Sequence, residues 1–366
     1  MKIIQLVSSV YPIAIGGVEM HVYNLSQELV RKGHQVEILT KKGRYTISIN
    51  RELILAEKMS IIKILKYLLT KNYDIVHIHN WGIMPFGIFK NESAFFICKL
   101  RKKKIVMTPH GFPDIISSRA MNNIRAKAFL IFSKLMLKMI DKFICVFPQQ
   151  ETTLHLKFGI HKTKIIFIPN GIPDSAFKQY DPKDFLENYA LNGKRILCYV
   201  GRIVPNKRLS DVIEVMHKLN KKIDDLLLII IGPDGGGMSN LLGLIDKYGL
   251  KNTVLLGELN ERKKYQVLSV AHIFVSPSSS EAFGISTCEA MAQGVPVISA
   301  NNLGAKYLLS DGEYGLLYEI GDIDSLLEEI LCLLDSPEKA KKMGEKGRER
   351  ATKFRWSKIA GEIEKV

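Results

Sequence analysis

Two glutamates stand eight residues apart in the stretch SSSEAFGISTCEAMAQGVPVISA, residues 278–300. Glu281 precedes a Phe-Gly pair, and Glu289 lies within 285–293, a segment predicted to be helical. The backbone amides of 283–285 would then lie at a helix N-terminus, which attracts anions and hydroxyl oxygens. A carboxylate can accept hydrogen bonds from two neighbouring hydroxyls of a sugar or ribose. Two carboxylates at this spacing are therefore suited to hold two rings of one ligand.

The same two glutamates also allow an interpretation without a ligand. Glu281 would cap the helix, as side chains before a helix often do. Glu289 would lie on the solvated face of that helix. The spacing alone leaves both interpretations open.

Two cations follow a second apolar run. The segment 195–201 (RILCYVG) is predicted to be a buried strand, and GRIVPNKR then places Arg202 and Lys207 just beyond it. Open parallel sheets bind ligands at the carboxyl ends of their strands. A guanidinium fork and an ammonium charge at this place suit a diphosphate. Solvation at the surface is the alternative for both side chains.

Strands and helices alternate along the whole chain, which predicts parallel, doubly wound sheets. In the first half, apolar runs predict strands at 3–7, 36–39, 75–78, 104–108, 143–146 and 165–168 and helices after Gly17, at 61–69 and at 125–139. In the second half, they predict strands at 195–201, 226–232, 254–256, 272–275 and 295–299 and helices at 209–219, after PDGGG and at 285–293.

The chain is too long for one hydrophobic core, so two domains are expected from its 366 residues. Pro, Gly and Asp accumulate between 170 and 192, where the periodicity lapses. The predicted domains are therefore 1–180 and 181–345, both Rossmann-like. The basic end, 346–366, is predicted to form a helix that crosses back to the first domain.

Composition narrows the class of protein. The formal charge of +15 favours an anionic partner, but basic residues are scattered and no nucleic-acid module is recognisable, so nucleic-acid binding is not expected. Five widely spaced cysteines argue against a disulfide framework and a zinc site. Without an apolar run of ~20 residues or a secretory signal pattern, the expected location is the cytoplasm.

Two basic segments raise the possibility of membrane contact. Residues 99–104 (KLRKKK) and 119–142 mix Lys and Arg with bulky apolar side chains. Such segments can lie on an anionic membrane, which predicts peripheral contact with its inner face. The alternative is that the apolar side chains pack on the sheet while the lysines stay hydrated.

Together these motifs resemble a known family. GRIVPNKR and SPSSSEAFGISTCEAMAQGVPVISANNLGAKYLLSDGEYGLLY resemble the donor domain of family 4 glycosyltransferases, which carry a Glu-x7-Glu hallmark. GGVEMHVYNLSQELVRKGHQVEILT, DIVHIHNWG, TPHG and IPNGI are similar to that family's N-terminal landmarks, in the same order. The resemblance covers nearly the whole chain. It implies an α/β protein of the GT-B fold, with two Rossmann-like doubly wound domains facing each other across a cleft.

The resemblance also implies roles for individual residues. It places Glu281 and the following amides on the donor sugar, Glu289 on the ribose, and Arg202 with Lys207 on the diphosphate. Catalytic roles are implied for His110, Arg202, Lys207 and Glu281. Donor binding is implied for Gly16, Gly17, Gly201, Arg202, Lys207, Glu281, Ala282, Phe283, Gly284, Ile285 and Glu289.

The histidines raise the question of a metal. His77 and His79 alternate on a predicted strand and so face one side, and with His110 they suggest a metal site. The segment DIVHIHN matches a landmark of the family, however, and GT-B enzymes characteristically need no catalytic metal. The expectation is therefore that neither metal nor cofactor is required.

The function implied is retaining transfer of a hexosyl-type sugar from a nucleotide-diphosphate sugar, UDP- or GDP-linked. The acceptor would be a hydroxyl of a carbohydrate or of a lipid-linked molecule. The alternative is a sugar-nucleotide 2-epimerase, which shares the fold and binds the same ligand.

Overall fold

A computed structural model describes residues 1–12, 16–40, 45–49, 52–58, 60–79, 92–110, 134–189, 191 and 193–366. The chain divides into two compact units, Met1–Gly171 with Trp356–Val366, and Ile172–Arg355. The first unit therefore ends at Gly171 rather than at 180, and the chain returns to it at Trp356 rather than at 346. The outgoing and returning segments are paired, because the Ile172 amide donates a 2.7 Å hydrogen bond to the Phe354 carbonyl.

The first unit contains one mixed sheet. Its strands are β1 Lys2–Val7, β2 Gln35–Thr40, β3 Tyr45–Ile49, β4 Glu52–Lys58, β5 Ile75–His79, β6 Lys104–Thr108, β7 Lys142–Cys145 and β8 Ile165–Phe167. Its described helices are α1 Gly17–Arg31, α2 Ile61–Thr70, α3 Glu92–Leu100, α4 134–138 and α5 Pro148–Thr152, which continues as a π-helical turn, Thr153–Lys157. Residues 125–133 of the predicted helix 125–139 lie outside the described part.

The strand order is β3-β4-β2-β1-β5-β6-β7-β8. All neighbours run parallel except β3 and β4, which form an antiparallel hairpin at the edge. The sequence analysis did not predict this hairpin, because no helix separates its strands. Strand order reverses direction between β1 and β5, so their carboxyl ends flank the crevice where parallel sheets bind ligands.

The second unit contains a wholly parallel sheet. Its strands are β9 Arg195–Val200, β10 Leu226–Ile231, β11 Thr253–Gly257, β12 Ile273–Ser276, β13 Val297–Ala300 and β14 Leu316–Tyr318. Its helices are α6 Lys183–Asn188, α7 Leu209–Leu219, α8 Met238–Lys247, α9 Glu261–Val270, α10 Ile285–Ala292, α11 Leu303–Leu309, α12 Ile323–Leu334 and α13 Pro337–Ala351. The order β11-β10-β9-β12-β13-β14 is the 3-2-1-4-5-6 order of a Rossmann sheet.

A last helix, α14 Trp356–Glu364, belongs to the first unit. Its buried side chains include Trp356, Ile359 and Ile363, and they join the core formed with α1 and β1. The terminus is thus two helices rather than one, since α13 ends at Ala351 in the second unit. Among the described residues, none of the helices has both the length and the apolarity needed to cross a bilayer. Four of the five cysteines are buried.

Candidate active site

The predicted donor residues of the second unit meet at the switch point of its sheet. Strands β9 and β12 are neighbours, and the chain leads from β9 towards β10 on one side and from β12 towards β13 on the other. The loops after β9 and β12 are tied together, because the amide and hydroxyl of Ser279 donate bonds of 3.0 and 3.1 Å to the Asn206 carbonyl. Ligands of doubly wound sheets bind at this position.

Lys207 and Glu281 form a salt bridge between those two loops. Both side chains are largely buried, with exposed fractions of 18% and 21%. The Glu281 carbonyl also accepts a 3.2 Å bond from the amide of Gly304, at the start of α11. A Cβ at Gly304 would lie 2.7 Å from that carbonyl oxygen, so only glycine allows this approach. Glu281 is therefore held through its side chain by Lys207 and through its backbone by Gly304.

Helix α10 begins immediately after this pair. Its N-cap is Gly284, whose φ of 87° lies in the left-handed region that favours glycine, and no side chain caps the helix. The interpretation of Glu281 as a helix cap is therefore wrong. Phe283 is buried against Phe354, at 5.2 Å between ring centroids, while Ala282 and Ile285 are half-buried. The amides of 283–285 lie at the start of α10.

Glu289 is buried, with 4% of its surface exposed, so its placement on a solvated face is also wrong. One carboxylate oxygen, Oε1, accepts bonds from Lys264 Nζ at 2.6 Å and from the Tyr265 hydroxyl at 3.0 Å. Burial and the neighbouring carboxylate raise the pKa of Tyr265, so its hydroxyl stays protonated and donates. No described residue donates a hydrogen bond to the other oxygen, Oε2. That oxygen is the one suited to ribose hydroxyls.

Lys264 and Tyr265 were not predicted from the sequence as residues of this site. They lie in the first turn and a half of α9, which begins just after β11 at the carboxyl edge of the same sheet. Their position after a strand end was the available signal, as it was for Lys207. The sequence does not, however, show that residues of α9 contact a residue of α10.

Arg202 lies just beyond β9 and is exposed. Within the described part of the chain, its guanidinium forms neither a hydrogen bond nor an ion pair. Its carbonyl accepts a 3.1 Å bond from the Tyr199 hydroxyl, and a Cβ at Gly201 would lie 2.6 Å from that same hydroxyl. The backbone beneath Arg202 is thus fixed while its charge stays available to a ligand.

In the first unit, Gly16 and Gly17 lie at the beginning of α1, beyond the end of β1. Gly16 is the N-cap, with extended backbone angles, and its carbonyl accepts a 3.0 Å bond from the amide of Met20. Gly17 is exposed. The first amides of a helix have no partner within the helix, and this terminus lies at the carboxyl edge of the sheet, next to the switch point between β1 and β5.

His110 lies after β6 with a φ of 36°, an uncommon value outside glycine, and is half-buried. Its Nε2 is 3.2 Å from His79 Nδ1, and its ring centroid is 4.5 Å from that of His21. As strand alternation predicts, His77 and His79 face one side, with ring centroids 4.1 Å apart. His77, in contrast, bonds to the Thr108 hydroxyl at 2.8 Å.

Burial determines the protonation of these rings. It lowers the pKa of His21 to about 4 and that of His77 to about 3, since a buried imidazolium loses its hydration. Burial likewise holds the pKa values of His79 and His110 well below the usual range, with further contributions from neighbouring histidines. All four rings are therefore neutral near pH 7.

Two solved structures share this architecture. Sucrose-phosphate synthase of Thermosynechococcus elongatus has a TM-score of 0.81 and 23% identity, covering 100% of this chain and 97% of that one. The Anabaena protein HepE in complex with UDP-glucose has a TM-score of 0.78 and 16% identity, covering 100% and 98%. The protein therefore has the GT-B fold, with the α/β architecture predicted.

Sequence models place the chain more narrowly. Residues 15–176 match Glycosyltransferase Family 4, and residues 182–350 match Glycosyl transferases group 1. The chain belongs to the family 4 glycosyltransferases, as the motifs predict.

Two curated relatives are named for lipid substrates. The GPI3 subunit of phosphatidylinositol N-acetylglucosaminyltransferase from Saccharomyces cerevisiae is 26% identical over 79% of this chain, which spans 65% of that relative. The UDP-Gal:alpha-D-GlcNAc-diphosphoundecaprenol alpha-1,3-galactosyltransferase of Escherichia coli is 28% identical, covering 77% of this chain and 72% of the relative.

Proposed function

We propose that this protein transfers a hexosyl-type sugar from a UDP-sugar to a hydroxyl of a carbohydrate or lipid-linked acceptor, with retention at the anomeric carbon. The observation that carries the proposal is the pairing of Lys207 with Glu281 at the switch point, beside a buried Glu289 that has one oxygen free of protein donors. The named donor of the Escherichia coli relative and the ligand of the Anabaena structure support UDP. Two relatives named for lipid substrates support a lipid-linked acceptor.

Each donor group then has a partner of matching chemistry. The free oxygen of Glu289 accepts from the ribose hydroxyls, and Glu281 with the amides of 283–285 holds the sugar hydroxyls. Lys207 and Arg202 neutralise the diphosphate. In the first unit, Gly16 and Gly17 lie at a helix start suited to phosphate oxygens, and His110 supplies a neutral imidazole after β6.

The reaction proceeds on the side from which the diphosphate leaves. As the glycosidic bond breaks, negative charge grows on the diphosphate, and fixed cations stabilise that charge. The acceptor hydroxyl attacks from the same side and gives its proton to a phosphate oxygen. Glu281 positions the sugar on this account and forms no covalent bond to it, because its carboxylate is already paired with Lys207.

Transfer is favoured over epimerisation. Both family models and the named relatives are glycosyltransferases, whereas the epimerase alternative rests on shared fold alone. Conversion of a UDP-sugar to its 2-epimer without any acceptor would support the epimerase instead.

The donor is tested by thermal shift with UDP- and GDP-linked glucose, N-acetylglucosamine, galactose and mannose. A donor at ~100 times its dissociation constant adds ~2.7 kcal/mol of stability. Glu289→Gln is the matched variant, since it removes the charge while keeping the size of a buried side chain. A UDP-sugar that stabilises the wild type but not the variant supports the proposal. A GDP-sugar alone would change the donor, and no response to any of them would refute the donor site.

Retention is tested on the product once donor and acceptor are known. The anomeric proton coupling of the new glycoside, followed by NMR from the start of the reaction, gives its configuration. A product with the configuration of the donor supports the front-face route. An inverted product would refute it, whatever the thermal-shift result.

Peripheral membrane contact is a further part of the proposal. In the first unit, α3 exposes Phe96 and Leu100, with exposed fractions of 55% and 80%, and Lys102 follows directly. Exposed apolar side chains beside cations suit an anionic lipid surface. This patch lies in the predicted segment 99–104 and the turn before it. Of the other predicted segment, 119–142, only residues 134–142 lie in the described part.

A further inference from the structure

Three histidines in the first unit converge from separate elements. His21 lies in α1, His79 ends β5, and His110 follows β6. One ring nitrogen of each lies within 4.8 Å of one ring nitrogen of the others. His21 and His79 are buried, and His110 is half-buried, so the cluster is closed on the side of the core.

Two amide side chains fix which nitrogens carry protons. His21 Nδ1 lies 2.7 Å from the Asn170 side-chain oxygen, and His79 Nε2 contacts the Gln5 side-chain oxygen. An amide oxygen only accepts, so the ring nitrogen that faces it must carry the proton. The lone pairs of His21 Nε2 and His79 Nδ1 are therefore free of protons. His21 Nε2 has no hydrogen-bond partner among the described residues although it is buried.

This arrangement is the one that metal-binding histidines use. A ligating imidazole donates its other N–H to a carbonyl or carboxylate, which fixes the tautomer and the orientation of the ring. Asn170 and Gln5 occupy that supporting position for two of the three rings. Neutral imidazoles are preferred ligands of Zn²⁺ and of its neighbours among the divalent transition metals.

The distances also suit such an ion. Zn–N bonds of ~2.05 Å at tetrahedral angles separate two ligand nitrogens by roughly 3.3 Å. His79 Nδ1 and His110 Nε2 are 3.2 Å apart, and without an ion His110 Nε2 donates its proton to His79 Nδ1, so metal binding requires His110 to carry its proton on Nδ1 instead. The His21 nitrogen has to approach by roughly 1.5 Å at most to reach the same separation. Three protein ligands leave the fourth position to water or an anion.

We propose that His21, His79 and His110 form a binding site for one divalent transition-metal ion of the Zn²⁺ class, with Asn170 and Gln5 orienting two of the ligands. The competing interpretation is a network of neutral histidines bonded only to one another and to these amides. From the sequence, His77 with His79 and His110 were considered as a metal site and set aside because DIVHIHN matches a landmark of the family. The structure replaces His77 with His21.

The test uses the full chain, stripped with a chelator and then dialysed against Zn²⁺ or Co²⁺. Bound metal is counted by elemental analysis, and Co²⁺ also reports tetrahedral nitrogen coordination through its visible absorption. The expected result is one tightly bound ion per chain. That ion is lost in His21→Gln and in His79→Gln, while His77→Gln and the exposed His161→Gln retain it.

A supporting residue provides a milder variant. Loss of the partner of a metal-bound histidine typically weakens affinity by 10- to 100-fold, so Asn170→Ala should bind the same ion that much more weakly. Should either ligand variant fail to fold, judged by circular dichroism in the presence of chelator, Asn170→Ala carries the test. Absence of bound metal in the wild type, or equal affinity in wild type, His21→Gln and Asn170→Ala, would overturn the proposal.

Discussion

At the scale of single residues, the salt bridge between Lys207 and Glu281 is the central feature of the proposed donor site. Lys207→Met removes the cation that we propose to face the departing diphosphate, while the volume of the side chain is kept. Removing one such preorganised group typically costs ~10²- to 10³-fold in kcat, and we expect a loss of that size. Steady-state kinetics with the donor found by thermal shift measures it.

A surface lysine of the same unit is the matched control for that loss. Lys218 pairs with Asp324 at 2.7 Å, but the pair is exposed. Exposed pairs contribute only ~0–1 kcal/mol, so Lys218→Met should have nearly wild-type kcat. Equal activity of Lys207→Met and Lys218→Met would remove Lys207 from the mechanism.

The buried pair of Lys264 and Glu289 predicts an effect on stability. Lys264→Met leaves a buried carboxylate with only the Tyr265 hydroxyl as partner, and breaking a buried pair costs ~3–5 kcal/mol. The exposed fraction of the lysine is 16%, so we expect a loss of about 3 kcal/mol in the free energy of unfolding. Urea denaturation measures this loss.

The double variant separates the charge from the packing. In Lys264→Met with Glu289→Gln, no charge remains buried, so the double variant should be more stable than Lys264→Met alone. Additive losses would show that the pair is not coupled, and the view of Lys264 as the stabilising partner of the buried Glu289 carboxylate would fail.

The sequence predicted some of these residues and not others, for a physical reason. Glu281, Glu289 and Lys207 belong to local patterns, a strand end or a helix start, that can be recognised along the chain. Lys264 and His21 act through contacts between elements far apart in sequence. Their side-chain types are also common in ordinary helices, so nothing local marks them.

At the scale of elements, the start of α10 decides where the donor amides point. Gly284 has a φ of 87°, and an L-residue in this conformation costs roughly 1–2 kcal/mol. Gly284→Ala should therefore lose stability and also donor affinity, because the backbone of 283–285 must shift to relieve the strain. Isothermal titration with UDP measures the affinity, and thermal unfolding measures the stability.

Gly294 offers a control at the opposite end of the same helix. Its φ is 80°, and a Cβ there would meet nothing within 4 Å. Gly294→Ala should lose a similar amount of stability and keep UDP affinity. If both variants lose affinity equally, the effect belongs to the helix as a whole and the role assigned to the 283–285 amides is contradicted.

Most strands could be predicted because buried parallel strands are continuous apolar runs, as in β10 (LLLIII). The edge hairpin β3-β4 was not predicted, because the pattern of alternating strands and helices does not include two adjacent strands. The break between α13 and α14 was not predicted either. It requires knowing that Phe354 packs in the second unit and Trp356 in the first, which only the fold reveals.

At the scale of the whole molecule, the net charge of +15 affects how the protein approaches anionic surfaces. A charge of this size raises the local concentration of the protein near any anionic surface, within a Debye length of ~10 Å at 0.1 M salt. Charge alone does not orient the protein on a membrane. Orientation requires apolar side chains placed beside the cations, as Phe96, Leu100 and Lys102 are in the first unit.

The orienting patch therefore predicts a site-specific effect on vesicle binding. Leu100→Gln with Lys102→Glu should weaken binding to phosphatidylserine-containing vesicles at least about tenfold, since each cation near such a surface is worth ~1 kcal/mol. Leu242→Gln with Lys247→Glu makes the same chemical change on α8 of the second unit, where Leu242 is also exposed. Co-sedimentation at low and high salt compares the two variants with the wild type. If both double variants bind equally weakly, net charge explains the binding and the patch does not orient the protein; if the wild type does not bind at low salt, membrane contact is excluded and a water-soluble acceptor is favoured.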